Sequence, residues 1–85
     1  MSHSVTLLPL AQRQIRKLEE PTQIRIIRAI RRLGTDPRPD GCVKLTGMRD
    51  TYRIREGNYR IIYQVRDQKL LVLIMEVANR REVYR

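Results

Sequence analysis

One segment, 51–64, restricts the possible folds of this sequence more than any other. It reads T-Y-R-I-R-E-G-N-Y-R-I-I-Y-Q, so apolar side chains alternate with arginine on both sides of a central Gly57-Asn58 pair. A period of two with β-branched and aromatic residues is typical of a strand that buries one face, and a Gly-Asn pair suits a tight turn. The segment therefore predicts a β-hairpin.

The register of this hairpin follows from the same alternation. If Ile54 lies opposite Ile61, then Arg55 lies opposite Arg60, and the apolar side chains of both strands meet on one face. Arg53, Arg55 and Arg60 then collect on the other face. A shift of one residue would bring arginines into the core, where an unpaired charge is costly. Since like charges opposite each other repel, we expect an external anion to neutralise them, and an RNA or DNA phosphate suits guanidinium groups.

The overall charge also indicates an anionic partner. The 85 residues include 18 basic and 9 acidic side chains, which give a formal net charge of +9. Such a surplus attracts nucleic acid, acidic proteins or membrane surfaces. The longest unbroken apolar run, 70–75, is far too short to span a membrane, and the first residues do not read as a secretory signal. We therefore expect one small domain, 1–85, in the cytoplasm and away from membranes.

The sequence before the hairpin predicts one strand and two helices. Segment 4–8 is a short strand candidate. Apolar residues at helical spacing favour a helix that begins at Pro9 and a second helix from Pro21 to Leu33, with Gly34 as its stop. The short break between them predicts a helical hairpin.

The sequence around and after the hairpin predicts the remaining strands. Segment 42–45 is a short extended candidate, and the apolar run 70–78 is typical of a central strand, with Glu76 facing outward. Residues 82–84 are a candidate for a last short strand. The order β-α-α-β-β-β predicts an α+β domain: a helical hairpin packs on one face of an antiparallel sheet, and arginines line the open face.

Few kinds of chemistry are available to this chain. Cys42 is the only cysteine and His3 the only histidine, so the sequence predicts no disulfide framework, no metal site, no cofactor site and no His-dependent catalytic set. What remains is a group of arginines and Tyr84. Guanidinium groups bind a scissile phosphate and stabilise its growing charge, but they do not act as bases at ordinary pH. Tyr84 is then the candidate for proton transfer by elimination.

A family resemblance appears in three stretches of the sequence. These are K-L-T-G-M-R-D-T-Y-R-I-R from position 44, G-N-Y-R-I-I-Y-Q-V from 57, and L-L-V-L-I-M-E-V-A-N-R-R-E-V-Y-R from 70. Together they closely resemble the RelE family of bacterial toxins from toxin–antitoxin operons. The resemblance implies a small α+β domain similar to microbial ribonucleases. It also implies a metal-independent endoribonuclease that cuts mRNA in the ribosomal A site, and an acidic antitoxin that neutralises it in a hetero-oligomeric complex.

The resemblance assigns roles by position. Arg60 matches the family's arginine at the scissile phosphate, Arg80 its second catalytic arginine, and Tyr84 its catalytic tyrosine. Arg53 and Arg55 stand where the best-known members carry two lysines, and this is a departure, because a lysine can transfer protons and an arginine cannot. If those lysines act as acid or base, Tyr84, a nearby carboxylate or the ribosome must take that step here. The candidate RNA- or phosphate-binding residues are Lys44, Arg53, Arg55 and Arg81.

Other interpretations of the same residues remain open. Tyr84 also fits a packing role near the C-terminus, and Lys44 an ordinary surface position. The arginines of the second helix, 25–32, fit a solvated helix face better than an RNA groove. At the level of function, the alternatives are a ParE-like toxin that acts on DNA gyrase without nuclease activity, and a basic nucleic-acid-binding module without catalysis.

Overall fold

The computed structural model of the chain describes residues 2–79. Within them it contains two helices and five strands, with a short 3-10 turn, Asp67–Lys69, between the last two strands. The strands are β1 (Ser4–Leu7), β2 (Val43–Lys44), β3 (Thr51–Glu56), β4 (Tyr59–Arg66) and β5 (Leu71–Asn79). The helices are α1 (Pro9–Arg16) and α2 (Glu20–Thr35), and both follow β1. The predicted strand at 82–84 lies outside the described residues.

The five strands form one sheet in the order β1-β5-β4-β3-β2. Both helices pack on one of its faces, which confirms the α+β class and the helical hairpin. The prediction of a wholly antiparallel sheet was wrong at one edge, because β1 runs parallel to β5, with Ser4 opposite Leu71 and Leu7 opposite Ile74. This pair joins segments more than sixty residues apart, and a local alternation pattern carries no information about its direction.

The pairing of β3 with β4 has the predicted register. Ile54 lies opposite Ile61, and Arg55 lies opposite Arg60. The apolar side of this hairpin faces the helices: Ile61 and Tyr63 have no exposed surface, and Tyr52 is nearly as buried. Because one face of the hairpin is in the core, its other face is fixed as the arginine side.

Helix α2 extends one residue beyond the predicted stop at Gly34. Gly34 lies inside the helix, and a Cβ atom there would sit 3.0 Å from the carbonyl oxygen of His3 and 3.1 Å from Cγ2 of Val5. The backbone N–H of His3 donates to the Gly34 carbonyl at 2.7 Å. The glycine is thus required for the close approach of β1 to α2, and the helix ends instead at Thr35.

A bulge in β5 keeps its apolar residues on the core side. Ile62 lies opposite Glu76 while Tyr63 lies opposite Ile74, so Met75 is an extra residue between them. At the bulge the backbone N–H of Val77 donates to Oε1 of Gln14 at 2.6 Å. A side chain from α1 therefore satisfies a partly buried donor of β5, and this bond links the helix to the strand that leads to the end of the described chain.

A polar cluster ties three parts of the chain together at the end of β4. Arg38 donates from both terminal nitrogens to Asp67, at 2.8 and 3.3 Å, and its Nε donates to the hydroxyl of Tyr52 at 2.9 Å. Nε2 of His3 lies 3.1 Å from the same carboxylate. The hydrogen bonds from Arg38 and His3 hold the pKa of Asp67 below its ordinary value. The cluster fixes the N-terminus and the segment after α2 against the sheet.

Within residues 2–79, neither helix has the length and apolar character that crossing a membrane requires.

We predict that Gln14→Ala lowers the free energy of unfolding by about 1–3 kcal/mol, because the partly buried N–H of Val77 loses its acceptor. Chemical denaturation of the purified variant measures this loss. Gln68→Ala is the control: this glutamine is exposed in the turn after β4, and we expect a change within about 0.5 kcal/mol. Equal effects of the two substitutions would contradict the role given to Gln14.

We also predict that Asp67→Asn lowers the melting temperature at neutral pH. Because the pKa of Asp67 is lowered in the folded state, its contribution is present above the unfolded pKa of about 3.9 and is lost as the pH falls through the folded value. The difference between wild type and variant should therefore shrink in acid, as followed by thermal unfolding across pH. Asp40→Asn, which removes an exposed carboxylate, should show no such trend, and a difference that grows in acid would disprove the sign.

Candidate anion-binding face

The sheet face opposite the helices carries a compact group of arginines. Alternation along β3 places Arg53 and Arg55 on this face, and alternation along β4 places Arg60 there. Arg55 lies directly opposite Arg60, and Arg53 lies opposite Ile62 on the same side. The structure therefore brings together three of the seven site residues predicted from the sequence. We call this group of three side chains the arginine face.

The three arginines differ in burial. Arg60 is only 8% exposed, Arg53 is half-buried, and Arg55 is exposed. Arginines are seldom this buried, so Arg60 is not an ordinary exposed strand arginine. Nε of Arg53 is buried and has no hydrogen-bond partner within residues 2–79. Such a donor costs about 1–3 kcal/mol, so stability alone does not explain an arginine at position 53.

Among the strand residues that the structure describes, one carboxylate shares this side of the sheet. Glu76 lies opposite Ile62, next to the position of Arg53 across the strands, which confirms that it faces away from the helices. Three positive charges against one negative charge leave the arginine face electropositive. A surface of this kind attracts and orients phosphate groups.

Lys44 lies on the other side of the sheet from the arginines. It is opposite Tyr52, whose ring points toward the helices, whereas its neighbour Val43 is opposite Arg53. Since residues directly opposite each other project from the same face, Lys44 is not grouped with Arg53. It is exposed on the two-residue edge strand β2.

The other predicted site residues, Arg80, Arg81 and Tyr84, lie outside the described residues. The described chain ends at Asn79, one residue after Ala78, which is the direct partner of Arg60. The roles assigned to these three residues stay predictions.

Two of the four tyrosines belong to the core and not to an RNA surface. The rings of Tyr52 and Tyr63 stack at a centroid distance of 5.9 Å on the helix side of the sheet. Burial raises the pKa of Tyr63 well above its ordinary value, and its hydroxyl donates to the carbonyl of Pro37 at 2.8 Å. Tyr59 also packs against the core. These contacts confirm that the three rings serve packing.

The arginines of α2 form a separate basic surface on the helical side. Arg25, Arg28, Arg31 and Arg32 are exposed, and Nη2 of Arg32 lies 3.7 Å from Oε1 of Glu56. An exposed ion pair at this distance contributes little to stability. Because α2 packs on the core side of the sheet, these side chains do not extend the arginine face.

Sequence reasoning missed a second basic group at the far end of the hairpin. Arg49, Arg66 and Lys69 line a surface hollow of about 590 Å³, together with Asp50 and Gln64. Arg66 continues the alternation of β4 beyond Gln64, so the sequence pattern could have placed it on the arginine side. Arg49 and Lys69 lie in turns, where no periodic pattern marks them.

The architecture matches a known family. The family model described as the ParE toxin of a type II toxin–antitoxin system, parDE, matches residues 5–84. The mRNA interferase toxin RelE of Escherichia coli (strain K12) is 47% identical over 45 residues, which are 48% of this chain and 47% of that protein. The chain thus matches about half the length of this relative.

Solved structures give matches over more of the chain. The isolated RelE toxin of E. coli has a TM-score of 0.81 at 30% identity, covering 98% of this chain and 92% of that chain. A chain of the intact E. coli RelBE toxin–antitoxin complex has a TM-score of 0.79 at 29% identity, covering 92% of this chain and 96% of that chain.

We predict that Arg55→Thr stabilises the protein by about 0.2–1 kcal/mol, because it removes one of two like charges that lie directly opposite each other. The gain should shrink at high salt, which screens exposed charges. Chemical denaturation at two salt concentrations measures both effects. Lys44→Thr is the control, since Lys44 is also exposed in a strand but lies opposite Tyr52. If both variants gain equally, the effect comes from net charge and not from the pair.

Proposed function

This chain belongs to the RelE/ParE family of type II toxins, and we propose that it is a ribosome-dependent mRNA endoribonuclease that cuts mRNA in the ribosomal A site. The observation that carries the proposal is the grouping of Arg53, Arg55 and Arg60 on the side of the sheet opposite the helices. Its similarity to the E. coli mRNA interferase RelE supports RNA as the substrate. Such a toxin would act in the cytoplasm, where its target is.

The proposed chemistry uses RNA as the source of the nucleophile. The 2′-hydroxyl loses its proton and attacks the adjacent phosphorus, and the bond to the 5′-oxygen of the next nucleotide breaks. That oxygen takes a proton from water, so a 2′,3′-cyclic phosphate and a 5′-hydroxyl result. Arg60 and Arg80 bind the phosphate and stabilise the negative charge of the transition state. Arg53 and Arg55 hold the backbone on either side of it, and no metal ion takes part.

Tyr84 is proposed as the base that takes the proton of the 2′-hydroxyl. An unperturbed tyrosine has a pKa of about 10, so the phenolate must be stabilised before it can act near neutral pH. Nearby guanidinium groups favour the charged form and supply that stabilisation. This assignment explains how a family member with arginine in place of lysine at positions 53 and 55 retains a proton acceptor.

Lys44 and Arg81 have a lesser role in the proposal, as outer contacts to RNA backbone. Lys44 is on the helix side of the edge strand β2, so it reaches only a strand that wraps around that edge. It contributes charge to binding but does not touch the reacting phosphate.

A cognate antitoxin is the proposed protein partner. RelE of E. coli is found with RelB in a toxin–antitoxin complex. An acidic antitoxin would complement the charge of +9 on this chain, and the resulting complex is hetero-oligomeric. Covering the arginine face, or displacing Tyr84 from it, would each stop cleavage.

The second candidate is a toxin of the ParE kind that acts on DNA gyrase. The match to a ParE family model favours it. Primer extension on mRNA from a translation reaction, beside a gyrase supercoiling assay, separates the two candidates. New mRNA 5′ ends at codon positions with unchanged supercoiling support the nuclease, and the reverse result supports the gyrase poison.

We predict that Arg60→Lys, Arg80→Ala and Tyr84→Phe each lower cleavage by about a hundredfold or more, because each removes a group that acts in the transition state. The measurement is the cleavage rate of mRNA on programmed ribosomes, with naked RNA as a comparison. Arg28→Gln is the control, since it removes one charge from the helical side.

Thermal unfolding of each variant separates loss of catalysis from loss of the fold. If Tyr84→Phe and Arg80→Ala fold normally and cleave at the wild-type rate, the catalytic assignment is wrong. Cleavage that is equally fast on naked RNA would remove the ribosome from the proposal.

A further inference from the structure

We propose that the basic group at the far end of the hairpin is a second phosphate-binding site for the same RNA strand that is cut at Arg60. The group consists of Arg49, Arg66 and Lys69, and we call it the distal cluster. The inference rests on the proposed function, because it takes single-stranded RNA as the ligand of the arginine face. It adds a site several nucleotides away from the scissile phosphate.

The distal cluster lies on the same face of the same strand as Arg60. Alternation along β4 places Arg60, Ile62, Gln64 and Arg66 on one side of the sheet. Six residues of extended strand span about 20 Å, so the two basic sites are about that far apart. Several nucleotides of extended RNA can bridge this distance without leaving the face.

Local backbone bonds hold the cluster in place. The carbonyl of Asp50 accepts from the N–H of Val65 at 3.0 Å, which fastens the turn that carries Arg49 to β4. The hydroxyl of Thr51 donates to the carbonyl of Arg49 at 2.9 Å. These bonds define one wall of the hollow, and the short turn that contains Lys69 forms the other. Basic side chains on two fixed walls make a concave site suited to an anion.

The charges of the hollow are not balanced by its own carboxylates. Asp67 is occupied by Arg38 and His3, at 2.8 and 3.1 Å. Within residues 2–79, no carboxylate oxygen lies within 4.0 Å of a charged nitrogen of the distal cluster. Asp50 is the remaining acidic neighbour, so three positive charges face one negative charge. An external anion would relieve the repulsion between them.

The surface between the two basic sites fits sugar and base atoms better than phosphate. Ile62 and Gln64 are half-buried there, and Leu73 lies opposite Gln64. Nη2 of Arg66 donates to Oε1 of Gln64 at 3.3 Å, which directs the guanidinium back along the face toward Arg60. Between two positively charged sites, this stretch carries two apolar side chains, one amide and the carboxylate of Glu76, so it suits the sugars and bases of a single strand whose phosphates lie at the two ends.

The test measures how RNA length affects binding. Fluorescently labelled 2′-O-methyl RNA, which lacks the attacking hydroxyl, is used as a trinucleotide and as a decanucleotide, so that binding is measured without cleavage. We expect wild type to bind the decanucleotide more tightly. Arg66→Gln should weaken decanucleotide binding about threefold to tenfold and leave trinucleotide binding unchanged. The slope of log affinity against log salt should fall by about 0.7, as for one lost phosphate contact on a single strand.

Two further variants make the result specific. Lys69→Gln should repeat the effect of Arg66→Gln, since both side chains line the hollow. Arg28→Gln removes the same charge from the helical side and should show only a small loss that is equal for both lengths. Thermal unfolding confirms that each variant is folded; Arg28, Arg66 and Lys69 are all exposed.

Several outcomes would overturn the inference. One is equal affinity of wild type for the two lengths, and another is an unchanged decanucleotide affinity in Arg66→Gln. A poly-glutamate peptide that loses affinity in Arg66→Gln while the decanucleotide does not would assign the cluster to a protein partner. Cleavage on programmed ribosomes is measured separately. Cleavage without a length effect would contradict only the second phosphate-binding site, and a length effect without cleavage would contradict only the nuclease function.

Discussion

The pairing that sets Ile54 opposite Ile61 is the constraint on which the rest of the molecule depends. Burial of these two side chains against α1 and α2 decides which way every other residue of the hairpin points. A strand has only two sides, so the arginines must lie on the side away from the helices. The hydrophobic effect on one side of the sheet thus determines the electrostatics on the other. The arginine face therefore needs no supporting elements of its own, because packing of the core already orients its side chains.

The grouping of arginines on one face destabilises the folded state, and burial on the other face offsets this. Arg55 and Arg60 are placed side by side, and a buried nitrogen of Arg53 has no acceptor within residues 2–79. On the opposite side, fully buried residues of α2, β4 and β5 provide compensating burial, among them Ile26, Leu33, Ile61, Ile74 and Val72. The polar cluster of Arg38 and Asp67 adds a further tie between distant segments. The contacts that stabilise the fold therefore lie mainly on the helical side of the sheet, and the arginine side is left for binding.

The sequence predicts those parts of the structure in which local periodicity and burial agree. The hairpin register is the best example, since only one alignment keeps arginine out of the core. The parallel pairing of β1 with β5, the place of Gly34 inside α2 and the bond from Val77 to Gln14 all join residues far apart in the chain, and no local pattern reports them. For the site, alternation groups Arg53, Arg55 and Arg60. It does not reach Arg49, which lies in a turn, and the roles of Arg80 and Tyr84 come from family resemblance.

Gly34 determines which strand forms one edge of the sheet. Without a side chain there, β1 approaches α2 closely and occupies the outer edge of β5. That edge belongs to a long and strongly apolar strand, and an uncovered strand of this kind is a template for pairing with other copies. The absence of a single methyl group therefore lets a four-residue strand, and not the long apolar β5, form this edge of the sheet.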